Sequence, residues 1–122
     1  MESLYYRNTE CCVLVCDLTD SKSFESVESW RTEFLKKLNK NDQINFPFVL
    51  FANKCDKVNE RKVESKKIKD YCESKNNMTF FETSAKENIN IEIAFEEVAK
   101  LAYKRFSKND KKYITNRYCC PF

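Results

Sequence analysis

Cys11-Cys12-Val13-Leu14-Val15-Cys16, closed by Asp17, and Phe46-Pro47-Phe48-Val49-Leu50-Phe51-Ala52, closed by Asn53-Lys54-Cys55-Asp56, decide how this chain folds. Each is a continuous apolar run of strand length ending at a polar residue, the pattern of a strand buried on both faces. Pro47 opens the second run, where a missing N–H costs least. Met78 to Phe81 reads as a shorter third strand. Between the first two runs, Asp20-Ser21-Lys22-Ser23 supplies helix N-cap residues. Phe24, Val27, Trp30, Phe34, Leu35 and Leu38 then fall on one helical stripe, which Asn39 to Asp42 breaks. Lys57 to Arg61 reads as polar loop. Val63, Ile68, Tyr71 and Cys72 mark one side of a charged helix, and a last helix from near Asn90 turns Ile91, Ala94, Phe95, Val98 and Ala102 inward. Strands alternating with helices predict an α/β fold, a parallel sheet with helices on both faces.

The composition excludes more than it proposes. Among 122 residues there is no glycine and no histidine. A phosphate-cradling P-loop and a dinucleotide fingerprint both need glycine, so neither is present. Serine triads and His-ligated metal sites are excluded likewise, leaving no catalytic or metal-binding candidate. Net charge is +3, too small to imply nucleic acid as a partner. The charge is unevenly placed: Lys100, Lys104, Arg105, Lys108, Lys111, Lys112 and Arg117 face a single acid, Asp110, before the ending Tyr118-Cys119-Cys120-Pro121-Phe122. No apolar run approaches the ~20 residues of a membrane helix, and Met1-Glu2-Ser3 does not open a signal peptide. A reducing compartment is therefore expected. Seven cysteines without a C-x-x-C pair then read as unpaired structural thiols at Cys11, Cys12, Cys16 and Cys72.

In a doubly wound sheet, ligands bind beyond the carboxyl ends of the strands. Asn53-Lys54-Cys55-Asp56 follows the second strand and Glu82-Thr83-Ser84-Ala85-Lys86 the third. Either string alone is an ordinary turn; after successive strands they suit guanine. The guanine edge presents N1–H and N2–H₂ side by side, and the Asp56 carboxylate can accept both. Adenine lacks that donor pair and would leave the carboxylate unsatisfied. The Lys54 stem can lie over the ring, Asn53 can tie the two loops together, and the Ala85 N–H can donate to O6.

These two strings resemble the NKxD and SAK base-recognition motifs of the Ras superfamily of small GTPases. Tyr5-Tyr6-Arg7 and Leu14-Val15-Cys16-Asp17-Leu18-Thr19 are similar to the Rab signatures YYRGA and LVYDIT. Ser23-Phe24-Glu25, Ser29-Trp30-Arg31, Glu33-Phe34-Leu35, Phe46-Pro47-Phe48-Val49 and Ala94-Phe95-Glu96-Glu97 resemble the late-endosomal and lysosomal Rab subfamily. The resemblance implies a partial P-loop NTPase (Ras-like) fold without its N-terminal strands, P-loop, switch I, magnesium ligands or catalytic Gln. The chain would begin near the end of the switch II helix, and one long edge of the Cys11 strand would be unpaired. It further implies guanine contacts by Asn53, Lys54, Asp56, Ser84, Ala85 and Lys86. GTP or GDP would be held weakly, through the base alone, with no Mg²⁺ site and no hydrolysis.

Residues 1–108 are expected to form the domain part and 109–122 a basic tail. Cys119-Cys120-Pro121-Phe122 resembles the CCXX ending of Rabs, which accepts geranylgeranyl groups. Prenyl chains beside a basic run satisfy the two-signal requirement for anchoring. The expected partners are guanine nucleotide, the cytoplasmic face of endosomal or lysosomal membranes, the Rab escort and prenylation machinery, and effectors. Two other readings also fit: a non-enzymatic membrane-tethered adaptor or decoy, and a fragment with no folded function.

Overall fold

Side chains along the first apolar run alternate between two buried layers, and the rest of the fold is arranged around that alternation. The computed structural model describes residues 9–109 and 118–119. β1 (Cys11–Asp17) is followed by α1 (Ser21–Glu25), α2 (Val27–Lys36) and the one-turn α3 (Lys40–Gln43). β2 (Phe48–Asn53), a 3₁₀ turn (Val58–Glu60), α4 (Ser65–Ser74), β3 (Thr79–Glu82) and α5 (Ile91–Asn109) come next, and β4 (Tyr118–Cys119) is last. The sheet order is β3-β2-β1-β4 with every pair parallel; Leu14 stands beside Leu50, and Leu50 beside Phe80.

One face carries Cys12, Leu14, Cys16, Phe48, Leu50 and Ala52 against Phe24 of α1, Val27 and Phe34 of α2, and Ile68 and Cys72 of α4. The other carries Cys11, Val13, Val49 and Phe51 against Ala94, Val98 and Ala102 of α5. Helices on both faces of a parallel sheet are what the apolar strands demand, since no strand face is left polar. Leu14, Leu18, Leu50 and Ile68 are fully buried, each stabilising the fold by roughly 1.5–3 kcal/mol relative to exposure. Cys11, Cys16 and Cys72 sit in these layers, and burial above all pushes the thiols of Cys11 and Cys16 up to about 12. They are inert packing groups at neutral pH.

Several expectations need correction. The helical stripe is interrupted at Ser26, which ends α1 and begins α2. Trp30 lies outside the core, 44% exposed, because three residues beyond Val27 the helix has turned to about 60° off the buried line. Arg31 takes the inner place instead, its guanidinium 5.4 Å from the Phe48 ring centroid. Phe95 is 53% exposed; it meets the edge of Phe51 at 5.1 Å on the rim of the α5 face rather than inside it. The breaker Asn39 to Asp42 itself contributes to a helical turn, α3. The third strand starts and ends one residue later than expected.

The outer edge of β1 is not wholly open. Tyr118 and Cys119 pair with Cys11 and Cys12, so two residues of the expected tail lie on the sheet, and Val13 to Asp17 extend beyond them. Tyr5-Tyr6-Arg7, the basic residues Lys111, Lys112 and Arg117, and Cys120 lie outside the described residues.

A glycine-free chain must take its left-handed corners elsewhere. Five of the six positive-φ residues among the described residues are asparagines, Asn45, Asn76, Asn77, Asn88 and Asn90, the residue type that tolerates this region best after glycine. The sixth is Lys54, with φ of 69°.

Candidate functional site

Parallel pairing brings the carboxyl ends of β1, β2 and β3 to one side of the sheet, so Asp17, Asn53 and Glu82 end their strands as neighbours. The two candidate loops grow from β2 and β3 and are joined at their bases. The Thr83 N–H donates to the Ala52 carbonyl at 2.8 Å and the Cys55 N–H to the Thr83 carbonyl at 2.9 Å. The Asn53 side-chain oxygen accepts from the Thr83 hydroxyl at 3.2 Å and from the Ala85 N–H at 3.1 Å. One short amide thus fixes both loops, the geometry expected of Asn53.

The β3 loop is a closed turn. Ser84 and Ile89 exchange two backbone hydrogen bonds, and the Ser84 hydroxyl accepts from the Glu87 N–H at 3.0 Å. Ser84 is buried and shapes the turn from within, while Ala85 and Lys86 are exposed on its tip. The Ala85 N–H, expected to serve a ligand oxygen, donates to the Asn53 side-chain oxygen in this structure.

Lys54 is held from the side. Its ammonium lies 2.8 Å from the Asp17 carboxylate, which also accepts from the Thr19 N–H at 2.8 Å and the Thr19 hydroxyl at 2.7 Å. Burial opposes the charge on Asp17, but the hydrogen bonds from Lys54 and Thr19 outweigh it and hold the carboxyl below its ordinary value. A lysine in the left-handed region is strained, and strain of this kind persists only where surrounding contacts over-determine it. Here those contacts are the Asp17 ion pair and the hydrogen bond from the Lys57 N–H to the Lys54 carbonyl at 3.1 Å. Asp56, two residues on, is partly exposed and has no hydrogen-bond or ion-pair partner among the described residues. Its carboxylate lies beside the locked loops, two residues beyond Lys54 and three beyond Asn53.

A second brace fixes Glu82. Arg61 donates to both carboxylate oxygens, at 2.8 and 2.7 Å, and the Ser65 hydroxyl donates to one of them. The Arg61 bonds hold the Glu82 carboxyl below its usual range. This bidentate pair ties the segment after the β2 loop to the end of β3.

Sequence reading missed Asp17, Thr83 and the Arg61–Glu82 pair as supports of the site. A charged residue at the carboxyl end of an apolar strand was the available signal for Asp17 and for Glu82. Behind the loops an apolar groove of about 290 Å³ runs between β1 and α5, lined by Val13, Val15, Phe51 and Phe95 and reaching Asn53 and Ala85. Among the described residues no cluster of three or more Cys, Asp or Glu could hold a metal ion, and no helix is long and apolar enough to cross a membrane.

Residues 1–104 match the model of the Ras family. The chain is 51% identical over 98 residues to the Ras-related protein Rab-7a of Paramecium octaurelia, covering 80% of this chain and 48% of that protein. It is 48% identical over 100 residues to Rab-7a of Dictyostelium discoideum (82% and 49%) and 49% identical over 102 residues to Rab7 of Pisum sativum (82% and 50%). The chain spans about half the length of the curated relatives it matches. Its parallel sheet and the loops at the strand ends are the corresponding part of a Ras-like fold, and the chain belongs to the Ras family.

Proposed function

We propose that this is a Rab-type guanine-nucleotide-binding protein of endosomal and lysosomal membrane traffic, and that this chain supplies the base-recognition half of the site. The observation that carries the reading is the unengaged Asp56 carboxylate beside two loops locked together through Asn53. Asp56 accepts the N1–H and N2–H₂ of guanine, the Lys54 stem covers the ring face, and Ala85 meets O6. Ser84 acts by shaping the turn that presents Ala85, and Lys86 stands on its exposed tip. With no glycine in the chain to build a phosphate cradle, the contacts are to the base. Two or three charge-assisted hydrogen bonds of about 1.5–3 kcal/mol each, less the ordering cost of binding, give an affinity near millimolar, about −4 kcal/mol. GTP and GDP bind alike, magnesium adds nothing, and the chain does not hydrolyse GTP.

NMR titration with GDP and ADP tests this. GDP is expected to move the amides of Asn53 to Asp56 and Ser84 to Lys86 while ADP does not, and Asp56→Ala is expected to abolish the difference. Equal responses to the two nucleotides would sink the guanine assignment; nanomolar, magnesium-dependent binding would sink the base-only one.

The membrane part of the reading rests on Cys119 and Cys120 as geranylgeranyl acceptors, delivered by Rab escort and prenylation machinery and supported by the basic residues before them. The double change Cys119→Ser, Cys120→Ser is expected to leave the protein in the soluble fraction of cells. Free thiols at both positions on membrane-recovered protein would refute it.

A further inference from the structure

The guanine loops occupy one end of the sheet; the opposite end, where the strands begin, carries a cleft of a different character. It has a volume of about 520 Å³ and is formed by the segment from Asn41 to Pro47 and the last two turns of α5. Its charge is one-sided. Arg105 is consumed internally: it pairs with Glu10 at 3.4 Å and with Asp42 at 3.4 Å and stacks 4.7 Å from the Phe46 ring centroid. Lys104 and Lys108, one turn apart on α5, line the same cleft, are exposed, and have no ion pair among the described residues. Facing them is Ile44, 66% exposed at the end of the α3 connection. Two uncompensated ammonium groups around a large exposed aliphatic side chain form the pattern of a surface that rests on a lipid interface. The lysines meet anionic headgroups, and the apolar side chain and lysine stems reach the acyl boundary.

The position of α5 makes the choice of partner specific. Because α5 returns antiparallel to the strands, its C-terminal end lies at this end of the sheet, and the chain continues from it into a segment with Lys111, Lys112 and Arg117 but one acid, Asp110. The cleft and that basic segment are continuous in sequence and alike in charge.

We propose that the Ile44–Lys104–Lys108 cleft is a docking surface for anionic lipid, which seats the domain with the amino ends of its strands toward the bilayer and the guanine loops facing away. Contact by the cleft itself depends neither on nucleotide nor on lipidation; only its consequence for orientation on a cell membrane rests on the Cys119 and Cys120 assignment.

Co-sedimentation of the full, unprenylated, nucleotide-free chain with phosphatidylcholine vesicles, with and without 30% phosphatidylserine, tests the surface. The wild type is expected to bind only the anionic vesicles and to be released by salt. The pair Lys104→Glu, Lys108→Glu is expected to weaken binding roughly thirtyfold or more, from about a fivefold loss for each positive charge removed near the surface, raised by the charge reversal and attenuated by distance. Lys62→Glu, Lys69→Glu, an equal charge change on exposed residues elsewhere, is expected to weaken it only a few-fold. Ile44→Ser leaves the charge unchanged and is expected to weaken binding several-fold. Lys104→Gln, Lys108→Gln, with an unaltered circular dichroism spectrum, guards against a folding effect and is expected to lose about tenfold. Equal losses in the two Lys→Glu pairs would overturn the proposal, since net charge alone would then explain binding. Vesicle binding unchanged in all cleft variants, with hexaglutamate peptide instead shifting the cleft amides, would overturn it in favour of an acidic protein partner.

Discussion

The two faces of this sheet are made from alternate residues of the same strands, yet they are covered very differently. Cys12, Leu14, Cys16 and Leu50 lie under α1, α2 and α4, with an aromatic cluster of Phe34, Phe46 and Phe48 closing one end. A hydrogen bond and ion pairs stitch that cover together: Glu28 of α2 accepts from the Tyr71 hydroxyl of α4 at 2.7 Å and from Lys75 at 3.2 Å, and Arg61 braces Glu82. Cys11, Val13, Val49 and Phe51 lie under α5 alone, and the cover stops short, leaving Val13, Val15 and Phe95 around an apolar groove. A strand that is apolar on both faces is therefore not guaranteed equal burial of the two. A face is only as protected as the elements that reach it, and the two candidate loops, through Asn53 and Ala85, border the groove of the half-covered side.

The largest test of this inequality is a pair of truncations. Leu50→Ala, on the covered face, is expected to cost about 2–5 kcal/mol. Phe95→Ala, on the half-covered face, is expected to cost about 1 kcal/mol, because much of the ring is already in water. Urea unfolding midpoints measure both, and comparable costs would show that the α5 face is as closed as the other.

Hydrogen exchange probes the same asymmetry at the edge of β1. The Cys12 and Leu18 N–H groups donate to the carbonyls of Pro47 and Asn53 on the β2 side, so by the period of two those of Leu14 and Cys16 do so as well. The Val15 N–H points the other way, past the two-residue reach of β4. It is expected to exchange about a hundredfold faster than that of Leu14, the gap between local and more global opening. Equal protection would mean that the outer edge of β1 is as well paired as the inner one.

The smallest effect is acid sensitivity of the covered face. Glu82 has its carboxyl lowered from the ordinary 4.5, first by the Arg61 hydrogen bonds. A carboxylate of depressed pKa contributes stability fully present above its unfolded value and lost as pH falls through its folded one. Stability is thus expected to decline below about pH 4.5, and Glu82→Gln to flatten that acid limb in urea midpoints measured from pH 7 to pH 2.5. An identical acid limb in the variant would remove the Arg61 brace from the account of the covered face.

Much of this was legible in the order of residues. The apolar runs from Cys11 and Phe46 read as strands buried on two faces, although the second strand begins only at Phe48, and the strings from Asn53 and Glu82 stood out by following successive strands. Trp30 and Phe95 were misread because a helical stripe is wider than the surface that receives it: their spacing fits, but they fall on the rim of their faces. The Arg61–Glu82 brace joins residues 21 apart and the Asn53–Ala85 bond residues 32 apart, distances at which no local pattern reports contact.

What the sequence determined by itself was the three main strands and the longer helices, the family they belong to and the chemical types at the strand ends, since periodicity and residue chemistry are local properties. The tertiary structure alone decided that Ser84 turns inward while Asp56 stays unengaged, that Asp17 steadies a strained Lys54, and that Lys104, Lys108 and Ile44 line one cleft at the far end of the sheet. Those outcomes depend on strand register and on which helix reaches which face, and both are settled only when distant segments compete for the same buried surface.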